Sequence, residues 1–465
     1  MESACAIKNI KKEMSVTVLN KAIAQKDAKL VFPLTEKVIQ FGTGVLLRGL
    51  PDYFIHNANQ QQVFNGSVVV IKSTSNGGVD DFAHQDALFT HCVRGVYNSE
   101  NIDTHFVNTS ISRVLAAASD WDKIIALASS DNIEIIISNT TEAGLILDAT
   151  DKIGQGAPVS FPGKLLALLF ERWKHFNGDI NKGWVILPTE LIPNNGILLN
   201  SLVNQLANIV GLPEAFIQWM NEANDFCNTL VDRIVPGMVS DSELALLENK
   251  LGYKDKLLIT SEPFALWAIE SNKTSTIEKL SFAKTDDSIC IAPSIVKFRE
   301  LKLRLLNGTH TFSCAVAILA GFDTVIDAMR DAGFKQFIQN LVNEELVPSV
   351  MSDIITKEDA MQFSNKVLER FANPYIQHKW ISIAMNFEEK MKMRNGYLMD
   401  TYATNNEVTA KYMSIGFAAF LVYMEQAHQK QIVIADYCKD ALFAAEVSNW
   451  VIAIKEKGMK NILAA

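Results

Sequence analysis

Three things are scarce in this chain of 465 residues, and each scarcity excludes a class of protein. Cysteine is the first. The six, Cys5, Cys92, Cys227, Cys290, Cys314 and Cys438, are too sparse for a disulfide scaffold, and no pair has the CxxC spacing of structural zinc. Reduced core thiols and no metal are expected. Long apolar runs are the second. The longest, around Ile415–Met424, is far short of the ~20 residues a membrane helix needs. The N-terminal MESACAIKNIKKEM also lacks the apolar stretch of a secretion signal. Basic residues in excess are the third. The 43 Lys+Arg stand against 52 Asp+Glu, a net charge of −9, which argues against a general nucleic-acid binder. A soluble, cytoplasmic protein is expected, with no nucleic-acid and no membrane partner. A small anionic ligand remains possible, because a few local cations suffice to hold one.

Core-forming material is plentiful: 48% of residues are hydrophobic, with 25 Phe and 7 Trp, which excludes a disordered chain. At ~100–200 residues per domain the length implies two domains, divided near Lys284–Ser288 into 1–287 and 288–465. The first half alternates β-branched runs (Val38–Phe41, Val68–Lys72, Ile133–Ser138, Val185–Leu187) with helical patterns at Asp52–His56, Lys164–Trp173 and Leu198–Val210. Near-continuous Val/Ile strands separated by helices predict a doubly wound parallel sheet covered on both faces, an α/β fold. From about Pro293 the apolar period is close to 3.6, predicting helices over Pro293–Leu319, Gln336–Leu346, Glu358–Phe371 and Glu407–His428. A short β run is expected only at Gln431–Ala435. No feature of the sequence fixes an oligomeric state.

Five segments carry chemistry. Phe41-Gly42-Thr43-Gly44-Val45-Leu46-Leu47-Arg48 follows a strand and precedes a helix, where glycines let backbone N–H groups approach a pyrophosphate. The third glycine of the usual fingerprint is absent, and an ordinary strand-to-helix turn is the competing reading. The second strand ends in Lys72-Ser73-Thr74-Ser75 rather than in the acid that usually holds the ribose of NAD, so NADP is not excluded. Ser138-Asn139-Thr140-Thr141-Glu142-Ala143-Gly144 lies at the carboxyl end of a buried strand, where open α/β sheets bind ligands; a solvated turn is the alternative. Lys302 to His310 (KLRLLNGTH) sets Lys302, Asn307 and His310 over roughly 140° of one helix surface at ~100° per residue. A lysine partly buried among leucines suits proton transfer, and an asparagine beside it suits an alkoxide. A surface Lys/Arg face with a core-facing histidine explains the spacing equally. In Asn228–Pro236 (NTLVDRIVP), Asp232 beside Arg233 reads first as a structural ion pair.

Together with FPGKLLALLFERW (161–173) and RFANPYIQH (370–378), these segments resemble the mannitol dehydrogenase family of long-chain polyol dehydrogenases and reductases. The resemblance runs from about Val38 to Arg394. It implies a Rossmann-type N-terminal domain, a mostly α-helical C-terminal domain and an active site between them. It implies Lys302 as general acid/base, Asn307 polarising the reacting oxygen and His310 near the reacting hydroxyl, with Asp232, Asn228 and Glu142 lining the pocket. Phe41, Gly42, Gly44, Arg48, Lys72, Asn139 and Thr140 would hold the cofactor, NAD. Where the polyol branch carries Asp-Asn before its Asn-Gly turn, this chain has Glu190-Leu191, which leaves Asn307 without a second amide and resembles the uronate-reducing branch. The implied reaction is reduction of the keto sugar acid D-tagaturonate to D-altronate. Fructuronate/mannonate or polyol chemistry, or a silent sensor, are the rivals. A sugar-acid substrate needs a cation for its carboxylate, and Arg370, Lys390, Lys392 and Arg394 are candidates.

Overall fold

The computed structural model describes residues 17–25, 34–73, 80–140, 144–237, 239–406 and 408–465. Its strands, in chain order, are β1 (Glu36–Phe41), β2 (Ser67–Lys72), β3 (Phe89–Tyr97), β4 (Glu100–Asn108), β5 (Ile111–Ala116), β6 (Ile135–Ser138), β7 (Val185–Pro188), β8 (Asp225–Phe226), β9 (Thr229–Asp232), β10 (Ile259–Ser261), β11 (Leu266–Glu270) and β12 (Ile289–Ala292). Six of them form one sheet in the order β5-β2-β1-β6-β7-β8, and every neighbouring pair is parallel. The β-branched runs do this because each strand buries both faces. Ile39, Phe41, Val69, Ile71 and Ile136 pack against the helices Phe161–His175 and Asn195–Ile209. Val38, Val68, Val70, Ile135 and Ile137 pack on the other side against the helix Pro51–Gln60 and Trp267. Both faces being dry is why these strands read as continuous apolar runs.

Two small sheets escape the sequence pattern. One is the antiparallel pair β3–β4 with β10 alongside; the other is β9–β11 with β12. Their strands bury polar residues such as Thr90 and His91, or are too short to show a period. The β9 strand ends at Asp232, and that ending points the chain at the second half of the molecule.

The second half is helical, with three changes in winding among the described residues. The stretch expected as a single helix over Pro293–Leu319 is an α-helix at Val296–Glu300, a π-helix at Leu301–Asn307 and an α-helix at Gly308–Leu319. Two further π segments, Leu341–Leu346 and Met391–Asn395, interrupt other helices. The helix Lys357–Phe371 agrees with its pattern, and the last long pattern begins at Lys411 and ends at His428. Gln431–Ala435 is no strand. Without a neighbouring ladder, Ile432 and Ile434 pack onto the helical core instead, and Ile434–Asp436 is a single 3₁₀ turn. The core of this half forms where Gly308–Leu319 crosses Lys411–His428. A Cβ at Gly416 would stand 2.9 Å from the Phe312 carbonyl oxygen, so glycine is what permits the crossing. No helix among the described residues is long and apolar enough to cross a membrane.

Candidate active site

The sheet order places a crevice at the carboxyl ends of the paired strands β1 and β6. The chain leaves β1 toward β2 on one side and enters β6 on the other, and such a switch point is where open α/β sheets bind ligands. Phe41 and Ser138, the last residues of these strands, lie side by side. Gly42 then turns with φ +126°, and a Cβ there would meet Leu47 Cδ1 at 2.8 Å and Asn139 O at 3.0 Å. Only glycine fits that conformation and that space. At Gly44 nothing lies within 4 Å of a Cβ position, so the backbone over the turn stays open to a ligand. That pair of properties fits the pyrophosphate of a dinucleotide.

The other residues expected at the cofactor divide. Phe41 is buried beneath the turn, its ring 4.9 Å from that of Phe161. Arg48 points into the protein rather than toward the crevice. Its guanidinium donates to Leu257 O and lies over the rings of Phe82 and Phe89, and burial lowers its pKa to about 10 despite Asp52 and Asp255. Arg48 thus anchors its helix and is not brought to the cofactor face. Lys72 closes β2 and is buried. Asn139 donates from Nδ2 to Thr189 O and Oγ1, at 2.9 and 3.1 Å. Thr140 donates from N and Oγ1 to one oxygen of Glu190, at 2.9 and 3.0 Å, while Ser138 Oγ donates to the other at 3.2 Å. The buried Glu190 therefore ties the ends of β6 and β7 together, and burial raises its pKa against those hydrogen bonds. Glu142 lies outside the described residues.

Beside this crevice opens a cleft of about 420 Å³ whose lining includes Glu190, Thr229, Val231, Lys302, Asn307 and Arg394. Lys302 Nζ donates to Val231 O at 2.8 Å and lies 3.9 Å from Asp232 Oδ1. Lys302 and Asn307 are the second and last residues of the π segment. Where hydrogen bonds run i→i+5 a turn takes about 4.4 residues, so residues five apart lie roughly 50° from one another, and this winding turns toward one cleft two side chains that an α-helix holds about 140° apart. The carbonyls disturbed by the winding find hydroxyl donors. Thr309 bonds Leu305 O at 2.5 Å and Thr311 bonds Asn307 O at 2.8 Å. The Asn307 amide makes no hydrogen bond among the described residues. Arg394 enters from the π segment Met391–Asn395, whose backbone is fixed by two 2.8 Å bonds from Arg304 NH1 to Met393 O and Arg394 O.

Behind Lys302 lies a knot of buried charge. Arg370 NH1 and NH2 bond the two oxygens of Asp232 at 2.8 and 3.0 Å. Its Nε and NH2 also bond the two oxygens of Glu262, at 2.9 and 2.7 Å. Burial works against the Arg370 charge, and the two carboxylates overcome it, raising its pKa. Burial alone would raise Asp232, but Arg370 and Lys302 outweigh it and hold that carboxylate below its usual range. For Glu262 burial wins over Arg370, and Asp232 adds to the upward shift. Arg370, one of the cations expected for a substrate carboxylate, is thus already occupied on both edges of its fork.

The remaining expected residues sit as follows. His310 stacks on Phe371 with ring centroids 4.1 Å apart and faces His378 at 5.5 Å. It lines a small hollow with Arg370, Ile376 and His378 behind the charge knot. Burial, then the nearby His378 and Arg370, keep its imidazole pKa well below the ordinary value. Asn228 spends its amide on structure, donating to Glu270 Oε1 at 2.8 Å and accepting from Ile197 N at 3.2 Å. Lys390 donates to Ile383 O at 3.0 Å, and Lys392 is exposed. Of the candidate cations, Arg394 alone lines the cleft without an ion pair among the described residues. Glu262 carries no periodic signal. Its one sequence sign is a lone acid inside the apolar stretch Leu257–Trp267, which demands a buried partner.

Residues 36–281 match the mannitol dehydrogenase Rossmann domain, and residues 294–464 match the mannitol dehydrogenase C-terminal domain. The altronate oxidoreductase of Bacillus subtilis strain 168 is 39% identical over 388 residues, covering 83% of this chain and 79% of that protein. The altronate oxidoreductase of Shigella flexneri is 40% identical over 360 residues, 77% of this chain and 74% of that protein. Among solved structures, a substrate-free D-sorbitol dehydrogenase superposes with a TM-score of 0.76 at 17% identity, over 96% of this chain and 99% of that one. The Pseudomonas fluorescens mannitol 2-dehydrogenase, in ternary complex with NAD and D-mannitol, gives 0.68 at 18% identity with the same coverage.

Proposed function

The chain belongs to the mannitol dehydrogenase family and is an oxidoreductase acting on CH–OH groups, and from that premise we propose that it interconverts D-tagaturonate and D-altronate with NAD. The observation that carries the choice of a sugar acid over a polyol is Arg394. Among the described residues it is a cation without a carboxylate partner, and it lines the same cleft as Lys302 and Asn307. A carboxylate one end of the substrate away from the reacting carbon gives that fork two parallel hydrogen bonds. The similarity to altronate oxidoreductases supports the same choice.

The dinucleotide fits over the turn at Gly42 and Gly44, held through backbone groups there, and supplies or takes up the hydride. The protein does the rest. In reduction the ketone carbon gains a C–H bond as its oxygen gains charge. Lys302 passes a proton from Nζ to that oxygen, and the Asn307 amide donates a hydrogen bond to it. Val231 O and Asp232 orient the ammonium beforehand, so no rearrangement of the lysine is needed. In oxidation the same groups run backward, with neutral Lys302 removing the hydroxyl proton. His310, held neutral, shapes the wall behind Arg370.

The test is nicotinamide absorbance with D-tagaturonate, D-fructuronate and D-fructose, each with NADH and NADPH. Tagaturonate with NADH is expected to turn over fastest. Fructose as the sole substrate would exclude the sugar-acid reading, and silence with all three would exclude the enzyme. Lys302→Ala is expected to abolish turnover while NADH binding, followed by its fluorescence, persists. Substantial residual turnover would remove Lys302 from the proton step.

A further inference from the structure

The charge knot behind Lys302 contains two cations and two anions. Side-chain exposure is 17% for Lys302, 7% for Asp232, 4% for Arg370 and 1% for Glu262, so bulk water screens little of it. Asp232 Oδ1 is shared: it accepts from Arg370 NH2 at 3.0 Å and faces Lys302 Nζ at 3.9 Å. Arg370 NH2 is shared as well, between Asp232 Oδ1 and Glu262 Oε1. Glu262 is fixed independently of both, accepting Ile234 N at 2.7 Å. Each group therefore sets how much of the next one's charge is free to act farther along the line.

We propose that Glu262 is a positioning residue for proton transfer: by engaging Arg370 from behind, it leaves the charge of the Asp232 carboxylate free to act on the Lys302 ammonium. With Glu262 charged and Lys302 protonated, the knot is neutral. Without the Glu262 charge it is neutral only when Lys302 has lost its proton, and Arg370 turns its whole charge onto Asp232. Other charged or titratable groups also face this region. They are Arg299 on the lysine's own helix, Arg394 across the cleft, Glu190 beyond β7, His310 next to Arg370 and, beside Glu262 itself, Arg233, Arg94 and Glu243. Of these only Arg233 bonds Glu262, and it does so at the backbone carbonyl, which Glu262→Gln leaves in place; the side-chain charge reaches Lys302 through Arg370.

The proposal builds on the assignment of Lys302 as proton donor, but its test reads Lys302 directly and needs no substrate. Only a neutral amine attacks acetic anhydride, so the extent of Lys302 acetylation across pH, followed on its peptide by mass spectrometry, reports protonation. In Glu262→Gln the midpoint for Lys302 is expected to fall by about one pH unit, with the exposed lysines unchanged. Glu262→Asp, which keeps the charge, should titrate within a few tenths of the native midpoint. If Glu262→Gln does not fold, Glu262→Gln combined with Arg370→Gln takes its place. That pair removes one charge of each sign, and its Lys302 midpoint should stay near the native value. An unmoved midpoint in folded Glu262→Gln, an equal shift in Glu262→Asp, or a displaced midpoint in the double variant overturns the proposal. In an active enzyme the same shift appears in the pH–rate limb; a uniform loss of rate with an unmoved limb would mark a merely structural role. Failure of every substrate in the absorbance assay would refute the proposed function and leave this titration standing.

Discussion

Arg394→Met separates what the free enzyme spends on this residue from what the substrate gains. In the free protein the Arg394 side chain makes one hydrogen bond among the described residues, from NH1 to Thr311 Oγ1 at 3.2 Å, and its Nε is buried with no partner there. Burial lowers its pKa, so folding works against this charge. Methionine fills a similar volume, gives up that one bond (about 1 kcal/mol) and removes the desolvated charge. The two effects oppose one another, and the folding free energy should move by no more than about 1 kcal/mol. A substrate carboxylate bound by the fork is worth about 1.5–3 kcal/mol, which converts to a loss of about 10- to 100-fold in kcat/KM for D-tagaturonate. D-Fructose, which has no carboxylate, should lose almost nothing. Arg394→Lys should recover part of the loss, since it returns the charge without the planar fork. Equal losses with both substrates would refute the reasoning, as would a fall in melting temperature large enough to account for the rate.

Two further substitutions test other parts of the architecture. Gly42→Ala forces a side chain into φ +126° with contacts of 2.8 and 3.0 Å, at about 1–3 kcal/mol of strain; KM for NADH should rise at least about tenfold, and an unchanged KM would remove the turn from the cofactor site. Asp52, buried beside Gln40, has its pKa raised to about 7 by burial, with the Gln40 bond and Arg48 only partly offsetting this. The folded protein therefore holds this proton more tightly than the unfolded chain, and the stability it contributes is present below about pH 4 and lost as pH rises to about 7. Asp52→Asn should flatten that decline, by at most about 4 kcal/mol across the window, in urea unfolding at pH 4.5 to 8. Parallel pH slopes in the two proteins would contradict it.

The parallel sheet was legible because Val38–Phe41 and Val68–Lys72 bury both faces and so write the core into consecutive residues. Lys302, Asn307 and Asp232 were legible as chemistry through the family resemblance, yet their meeting was not. Hydrophobic periodicity counts residues per turn of an α-helix, and the π winding of Leu301–Asn307 changes that count without changing the leucines. Arg370 and Arg394 show the other gap. Both read as cations free to meet a carboxylate, and only the fold shows that Asp232 and Glu262, distant in sequence, have already claimed one of them. Glu262 stayed hidden for the same reason, since a buried ion partner leaves no spacing to detect. Arg48 looked like part of the glycine turn because it follows in sequence, although its side chain leaves on the opposite side of its short helix.

The π segment also makes the length of this helix a functional quantity. A chain one residue shorter between Leu303 and Leu306 could close the ordinary i→i+4 ladder and relieve the wide turn. Such a deletion would leave Lys302 and Asn307 four residues apart, about 40° on an α-helix, so the pair would still share a face. With the extra residue in place only a wide turn lets the two side chains meet, so the winding and the five-residue spacing stand or fall together. Among natural variants of this segment, isoleucine-for-leucine exchanges should be common, and a change of one residue in its length should come with a change in winding rather than with loss of the Lys–Asn pair.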